Sequence, residues 1–177
     1  ETVRRSVANH LNDIAKDHPD IVAAWVEQHL PGASDARRTL LRHASRTLIK
    51  RGHARTLRAW GHGAALRGEV ALALAPRRVA IGGHLTLTVT LHSRARSVQP
   101  LAIDYAWFRR LANGRLAPKV FKGWTIELAP GETRILVKRH SLKTVTTRRD
   151  HPGAHEIELR INGRAVAHEA FTLLRAR

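Results

Sequence analysis

Asn9 and Asp13 stand four residues apart in the run Arg4-Arg-Ser-Val-Ala-Asn-His-Leu-Asn-Asp13, a spacing that sets an amide and a carboxylate side by side on one face of a helix. A carboxylate so placed can oppose developing positive charge or orient a water, and the amide can hold it in position. The same pair can equally tie one helix to its neighbour or stand solvated on a surface. Further on, Arg38, Arg42, Arg46 and Lys50 recur every fourth residue, with Leu40, Leu41, Ala44 and Leu48 opposite. Four like charges on one stripe repel unless an anion lies over them, so the alternatives are phosphate contact and a solvated cationic face. Arg5, on the polar side of the first segment, and Arg55 and Arg58 extend the same field.

A second basic group lies in the other half of the chain. Lys119, Lys122 and Trp124 are read as a loop that mixes cations with aromatics, and Lys143-Thr-Val-Thr-Thr-Arg148-Arg149 as a basic, hydroxyl-rich connector. Both suit contact with a nucleic-acid backbone, with Phe121 or Trp124 either a wedge or stacking group or an ordinary core residue. Other chemistries are disfavoured. Cysteine is absent, which removes thiol nucleophiles, disulfides and thiolate metal sites. The 12 histidines form no His-Glu-x-x-His pattern, and His151 and His155 flank a turn, so no metal and no cofactor is expected. Gly61-His-Gly63-Ala-Ala-Leu66 lacks the third glycine and the preceding strand of a dinucleotide loop, and reads as a linker.

The elements that must position these residues change character once. Up to about Gly61 the apolar spacing is helical, and after Gly68 it alternates with period 2. Helices are predicted from Thr2 to Lys16, from Pro19 to Leu30, from the Ser34-Asp35 cap to near Gly52, and from Arg55 to Trp60. At 100° per residue, Val3, Val7, Ala8, Leu11, Ile14 and Ala15 fall within an arc of about 140°, the expected buried face of the first helix. Seven strands are predicted: Val70 to Ala75, His84 to His92, Leu101 to Leu111, Val120 to Leu128, Arg134 to His140, His155 to Ile161 and Ala165 to Leu173. Asn162-Gly163 predicts a hairpin and Ala129-Pro-Gly-Glu132 a turn. Seven short strands in about 110 residues are the pattern of an immunoglobulin-type sandwich without its disulfide.

The chain has 177 residues, 43% of them hydrophobic, with 31 Lys and Arg against 14 Asp and Glu, for a net charge of +17. That suffices for one or two globular domains and creates a field that attracts polyanions. Nucleic acid is the leading partner by charge. No apolar run approaches a membrane span and no signal-peptide core follows Glu1, so a soluble cytoplasmic protein with no membrane partner is expected. With no methionine, and with helical periodicity from the start, the sequence reads as a fragment whose earlier part lies ahead of Glu1.

The run from Arg4 to Asp13, continued by Ile-Ala-Lys-Asp-His-Pro19, resembles the signature helix of the bacterial DNA alkylation repair glycosylases built from HEAT-like repeats. Arg42-His-Ala-Ser-Arg-Thr-Leu-Ile-Lys-Arg-Gly52 resembles the next repeat of that family. Ala117-Pro-Lys-Val-Phe-Lys122 and Leu128-Ala-Pro-Gly-Glu132 are similar to its C-terminal β domain, as found in the AlkC branch. The resemblance implies a multidomain fold, α then β: antiparallel HEAT-like helical repeats over residues 1–63, a linker at 64–68, and an immunoglobulin-like β-sandwich over 69–177. It implies excision of N3-methylated bases of the 3-methyladenine type by hydrolysis of the N-glycosidic bond, without a cofactor. A methylated base is already cationic and leaves without protonation, so one carboxylate can suffice, and the resemblance assigns that role to Asp13. Asn9 is inferred to orient it. Double-stranded DNA carrying alkylated bases is the expected partner of a monomer, contacted by Arg5, Arg38, Arg42, Arg46, Lys50, Lys119, Lys122, Lys143, Arg148 and Arg149. The alternatives are a non-catalytic DNA-binding or scaffold module of the same architecture and, more remotely, an immunoglobulin-like adhesion or carbohydrate-binding protein.

Overall fold

The structure is a computed structural model that describes residues 2–143 and 150–176. The chain divides into two compact units, residues 1–65 and 66–177.

The first unit is helical: α1 (Thr2–Asp17), α2 (Pro19–His29), α3 (Asp35–Ala44), α4 (Arg46–Arg51) and α5 (Ala54–Ala59). Pro19 opens α2 at a position where its missing N–H costs nothing, and Asp20 and His29 match their ends of the helix dipole. The single helix predicted from Ser34 to Gly52 is two helices. Ser45 Oγ donates to the Leu41 carbonyl at 2.8 Å, and Asn12 Oδ1, reaching over from α1, accepts the Thr47 N–H at 3.1 Å. A side chain has taken a donor that a continuous ladder would use, so the helix breaks at Ser45. Gly52, at φ 74°, then ends α4 in the left-handed conformation that a residue with a Cβ disfavours.

The expected buried face of α1 holds at Ala8, Ile14 and Ala15 and is corrected at Val3 and Val7. Ala8, Asn12 and Ala15 are its buried residues, whereas Val3 is 76% and Val7 44% exposed. A stripe of two alanines and one satisfied amide lets α3 and α4 approach closely, and the valines lie to its side. The core of the unit gathers Ala15, Val22, Ala23, Val26, Leu30, Leu41 and Leu48, with Trp25 and Trp60 packed against it.

The expected architecture of HEAT-like repeats followed by a sandwich is also corrected. Strand accounts for 44% of the structure and helix for 29%, in five short helices. The helical segment is five helices, two of them only six residues long, and is outweighed by the strands that follow. The chain is mostly β.

The second unit holds eight strands: β1 (Gly68–Ala75), β2 (Arg78–Ala80), β3 (His84–Ser93), β4 (Gln99–Arg110), β5 (Leu116–Leu128), β6 (Thr133–Ser141), β7 (Gly153–Ile161) and β8 (Arg164–Leu174). They form a three-stranded sheet in the order β1-β3-β6 and a five-stranded sheet in the order β2-β8-β7-β4-β5. Alternation makes β3 the clearest strand: Leu85, Leu87, Val89 and Leu91 are all buried in the core between the sheets. The strand absent from the sequence reading, β2, has three residues and pairs parallel to β8. Asn162 (φ 50°) and Gly163 (φ 77°) form the β7–β8 hairpin turn, where two positive φ values match the twist of the strands. Trp107 lies at the centre of the core, its Nε1–H donating to His155 Nδ1 at 3.0 Å.

Candidate functional site

In the helical unit, α1, α3 and α4 meet around the Asn9 side chain. Its Oδ1 accepts from Arg46 Nη1 at 3.0 Å and from His43 Nε2 at 2.8 Å. An arginine can only donate, so this atom is the acceptor and His43 carries its proton on Nε2. Burial first, then the charges of Arg46 and Arg5, hold the His43 pKa below the ordinary histidine value, which favours the neutral ring. Beside this node a cleft of about 440 Å³ opens between α1 and α3, lined by Arg4, Arg5, Thr39 and His43 among others.

One turn further along α1, Asp13 Oδ1 accepts from Lys16 Nζ at 2.7 Å, with 63% of the Asp13 side chain and 52% of the Lys16 side chain exposed. The Lys16 hydrogen bond and charge, with smaller contributions from Arg46 and His10, hold the Asp13 carboxyl below the usual carboxylate range. Asp13 is therefore ionised at neutral pH and open to solvent. It shares a helix face with Asn9, as the spacing predicts, but each bonds a different partner: Asn9 takes His43 and Arg46, and Asp13 takes Lys16.

The expected cationic stripe is divided by the break at Ser45. Arg38 and Arg42 place their guanidiniums 5.9 and 5.0 Å from the centre of the Trp60 ring, whose Nε1–H donates to Ser45 Oγ at 3.2 Å. Arg46 turns to Asn9, and Lys50 is exposed on α4. Arg55 is held by a two-pronged pair to Glu27 at 2.8 and 2.6 Å. Within this field Arg38 and Arg42 are oriented by a ring, Arg46 by an amide and Arg55 by a carboxylate, while Lys50 stands exposed. Sequence reasoning missed Trp60, His43 and Asn12, whose hydrogen-bond partners Ser45, Asn9 and Thr47 lie 15, 34 and 35 positions away, and no local spacing signals such a contact.

In the β unit, Lys119 and Lys122 lie on β5, an edge strand of the five-stranded sheet, and not in a loop. The reason is a bulge at Gly123. Ile103 faces Trp124 and Asp104 faces Lys122, which leaves Gly123 unpaired, its N–H donating to Asp104 Oδ1 at 3.3 Å. A Cβ on Gly123 would come 2.5 Å from the Ile103 carbonyl oxygen, so the close approach excludes a side chain. The extra residue rephases the strand so that Phe121 and Trp124, three apart, both pack against the core. Phe121 stacks on Tyr105 at 5.4 Å, which places both aromatics in the packing role and not as free wedges. Lys119 Nζ sits 5.3 Å over the Phe121 ring. The Lys122 carbonyl accepts from Lys138 Nζ at 3.0 Å, while the Lys122 side chain is exposed. Lys143 is exposed just after β6, and Arg148 and Arg149 lie outside the described residues.

Among the described residues, no group of three or more His, Cys, Asp or Glu side chains could hold a metal ion, and no helix is long and apolar enough to cross a membrane.

Residues 69–175 match the family described as the C-terminal Ig-like domain of the uncharacterised protein YhaZ. The uncharacterized protein YhaZ of Bacillus subtilis strain 168 is 34% identical over 162 residues, which cover 91% of this chain and 44% of that protein. Among solved structures, the alkylpurine DNA glycosylase AlkC of Pseudomonas fluorescens, bound to DNA containing an abasic site analog, aligns with a TM-score of 0.91 at 35% identity. That alignment covers 97% of this chain and 48% of that one. A β-glucosidase from Erythrobacter marinus aligns over 60% of this chain and 16% of its own, at 11% identity and a TM-score of 0.51, a likeness of fold alone. The chain thus spans about half the length of the first two relatives.

Proposed function

This chain belongs to the YhaZ family, whose C-terminal Ig-like domain it carries over residues 69–175, and we propose that it serves DNA repair as part of a glycosylase that removes alkylated bases. The observation that carries this reading is the alignment with alkylpurine DNA glycosylase AlkC along 97% of the chain, helical unit included. The site chemistry agrees with it. An N3-methylated purine carries positive charge and leaves as a neutral base, so the protein needs no general acid for the leaving group. It must instead stabilise the oxocarbenium ion that develops on the sugar and orient a water.

Asp13 is the group suited to that task, since it is an ionised carboxylate on an exposed helix face, open to a ligand. Asn9 acts through its neighbours: by binding both His43 and Arg46 it fixes α1 against α3 and α4, and so fixes where Asp13 stands. Arg5, Arg38, Arg42, Arg46 and Lys50 in the helical unit, and Lys119, Lys122, Lys143, Arg148 and Arg149 in the β unit, are the proposed backbone contacts. They would hold a monomer on double-stranded DNA.

The test is release of 3-methyladenine from alkylated duplex DNA by the full-length protein. Release above the spontaneous rate supports the reading. Binding to DNA without release would leave a non-catalytic DNA-binding module in its place.

A further inference from the structure

The Asp13 carboxylate faces solvent already paired. Lys16 Nζ donates to its Oδ1 at 2.7 Å, and Arg46, held by Asn9 Oδ1 at 3.0 Å, adds a second positive charge nearby. Lys16 is itself part of a basic rim, for Arg51 Nη1 donates to the Lys16 carbonyl at 3.3 Å. A lysine bound to the carboxylate offsets the negative charge that an oxocarbenium ion would need. An exposed lysine three residues away is nevertheless a weak partner, since such pairs are screened by water and lose side-chain entropy on forming. A DNA phosphate brings a full negative charge to the same rim and competes for the same ammonium group.

We infer that Lys16 is a positioning residue that exchanges partners: in the free protein it caps Asp13, and on DNA it moves to a backbone phosphate and leaves the carboxylate bare. The substrate's own charge then completes the site, and Asp13 opposes positive charge only where a DNA strand lies across α1. Lys16 acts through Asp13 and the phosphate and touches no reacting atom. This rests on the proposed role of Asp13, but its test reads binding and not excision, so the two can fail separately.

The experiment is a double-mutant cycle on affinity for a duplex containing a tetrahydrofuran abasic-site analogue, in the full-length protein, with wild type, Lys16→Met, Asp13→Asn and the double variant. If Lys16 must leave Asp13 on binding, Asp13→Asn releases it in advance. The substitution should then tighten binding about two- to five-fold more when Lys16 is present than in the Lys16→Met background. Lys16→Met should also reduce the slope of log affinity against log salt by up to about 0.9, the share of one phosphate, while Lys16→Arg keeps it. Equal effects of Asp13→Asn in both backgrounds, or an unchanged salt slope in Lys16→Met, would show that the pair stays closed on DNA and overturn the exchange. Excision by Asp13→Asn at the wild-type rate would instead remove the catalytic reading, whatever the cycle gives.

Discussion

Asn12 on α1 accepts the backbone N–H of Thr47 at 3.1 Å, a bond across 35 positions that both ends α3 and fixes the direction of α4. Asn12 is 2% exposed, so the acceptor that meets the Thr47 N–H is supplied from inside the unit. Arg46, the residue before Thr47, is thereby turned back towards Asn9 and Asp13.

Asn12→Ala should therefore cost more than an ordinary surface change, because it leaves a partly buried N–H without its acceptor and empties a buried position. A loss of roughly 1–3 kcal/mol is expected. Asn12→Asp, which keeps an acceptor oxygen, should lose less. Chemical denaturation monitored by tryptophan fluorescence measures both. Stability within a few tenths of a kcal/mol of wild type in the alanine variant would mean that the N–H finds another partner.

His155 makes the β unit sensitive to acid. Its Nδ1 accepts from Trp107 and its Nε2–H donates to the His151 carbonyl at 2.8 Å, an arrangement open only to the neutral ring. Burial, the largest cause, holds its pKa below the ordinary histidine value. The unfolded chain therefore binds the proton more readily, so this contribution to stability is complete above the unfolded value of about 6.5 and declines as pH falls towards the lowered folded value. His155→Gln can keep both hydrogen bonds and should flatten the decline below about pH 6.5 in a thermal-melt series. An equally steep decline in that variant would place the sensitivity elsewhere.

Neutralising Lys119, Lys122, Arg148 and Arg149 together should weaken binding to damaged and undamaged duplex about equally, because interactions with the phosphate backbone carry no lesion information. The salt slope should fall in magnitude by up to about 0.9 for each phosphate that no longer has a cationic partner. Excision at saturating protein should persist, since Asp13 belongs to the other unit. Fluorescence anisotropy titrations across a salt series read both quantities, and unchanged affinity in a folded variant would reduce the β unit to a structural role.

How much of this is legible in the sequence depends on where the deciding interaction lies. Strand β3 can be read directly, since Leu85, Leu87, Val89 and Leu91 alternate with threonines and the sandwich buries every one of them. The Asn162-Gly163 turn is equally local, its conformation set by two residues that tolerate positive φ. The buried face of α1 is not local. Its valines carry the apolar signal but the helix packs through Ala8, Asn12 and Ala15, and a polar residue can occupy a core position only when a partner such as the Thr47 N–H is supplied from elsewhere. The break at Ser45 follows from the same partner, and so is hidden inside an uninterrupted helical pattern. Lys119 and Lys122 read as a loop for their mixture of cations and aromatics, although the strand predicted from Val120 to Leu128 already includes Lys122. In the fold Pro118 sits on an edge strand and Gly123 forms a bulge, both places where a sheet accepts them. For the site, the shared face of Asn9 and Asp13 is visible in their spacing, while His43, Arg46 and Lys16 become their partners only through folding.

The proposed function places the chemistry on the Asp13 carboxylate. Single-turnover release of 3-methyladenine from alkylated duplex DNA is the measurement, comparing the full-length protein with Asp13→Asn and with Asp17→Asn as a control that removes a like charge from the same helix. Asp13→Asn preserves shape and removes the negative charge proposed to oppose the oxocarbenium ion, so its rate should fall by at least about 100-fold. Asp17→Asn should stay within a few-fold of wild type. An Asp13→Asn rate within a few-fold of wild type would contradict the account.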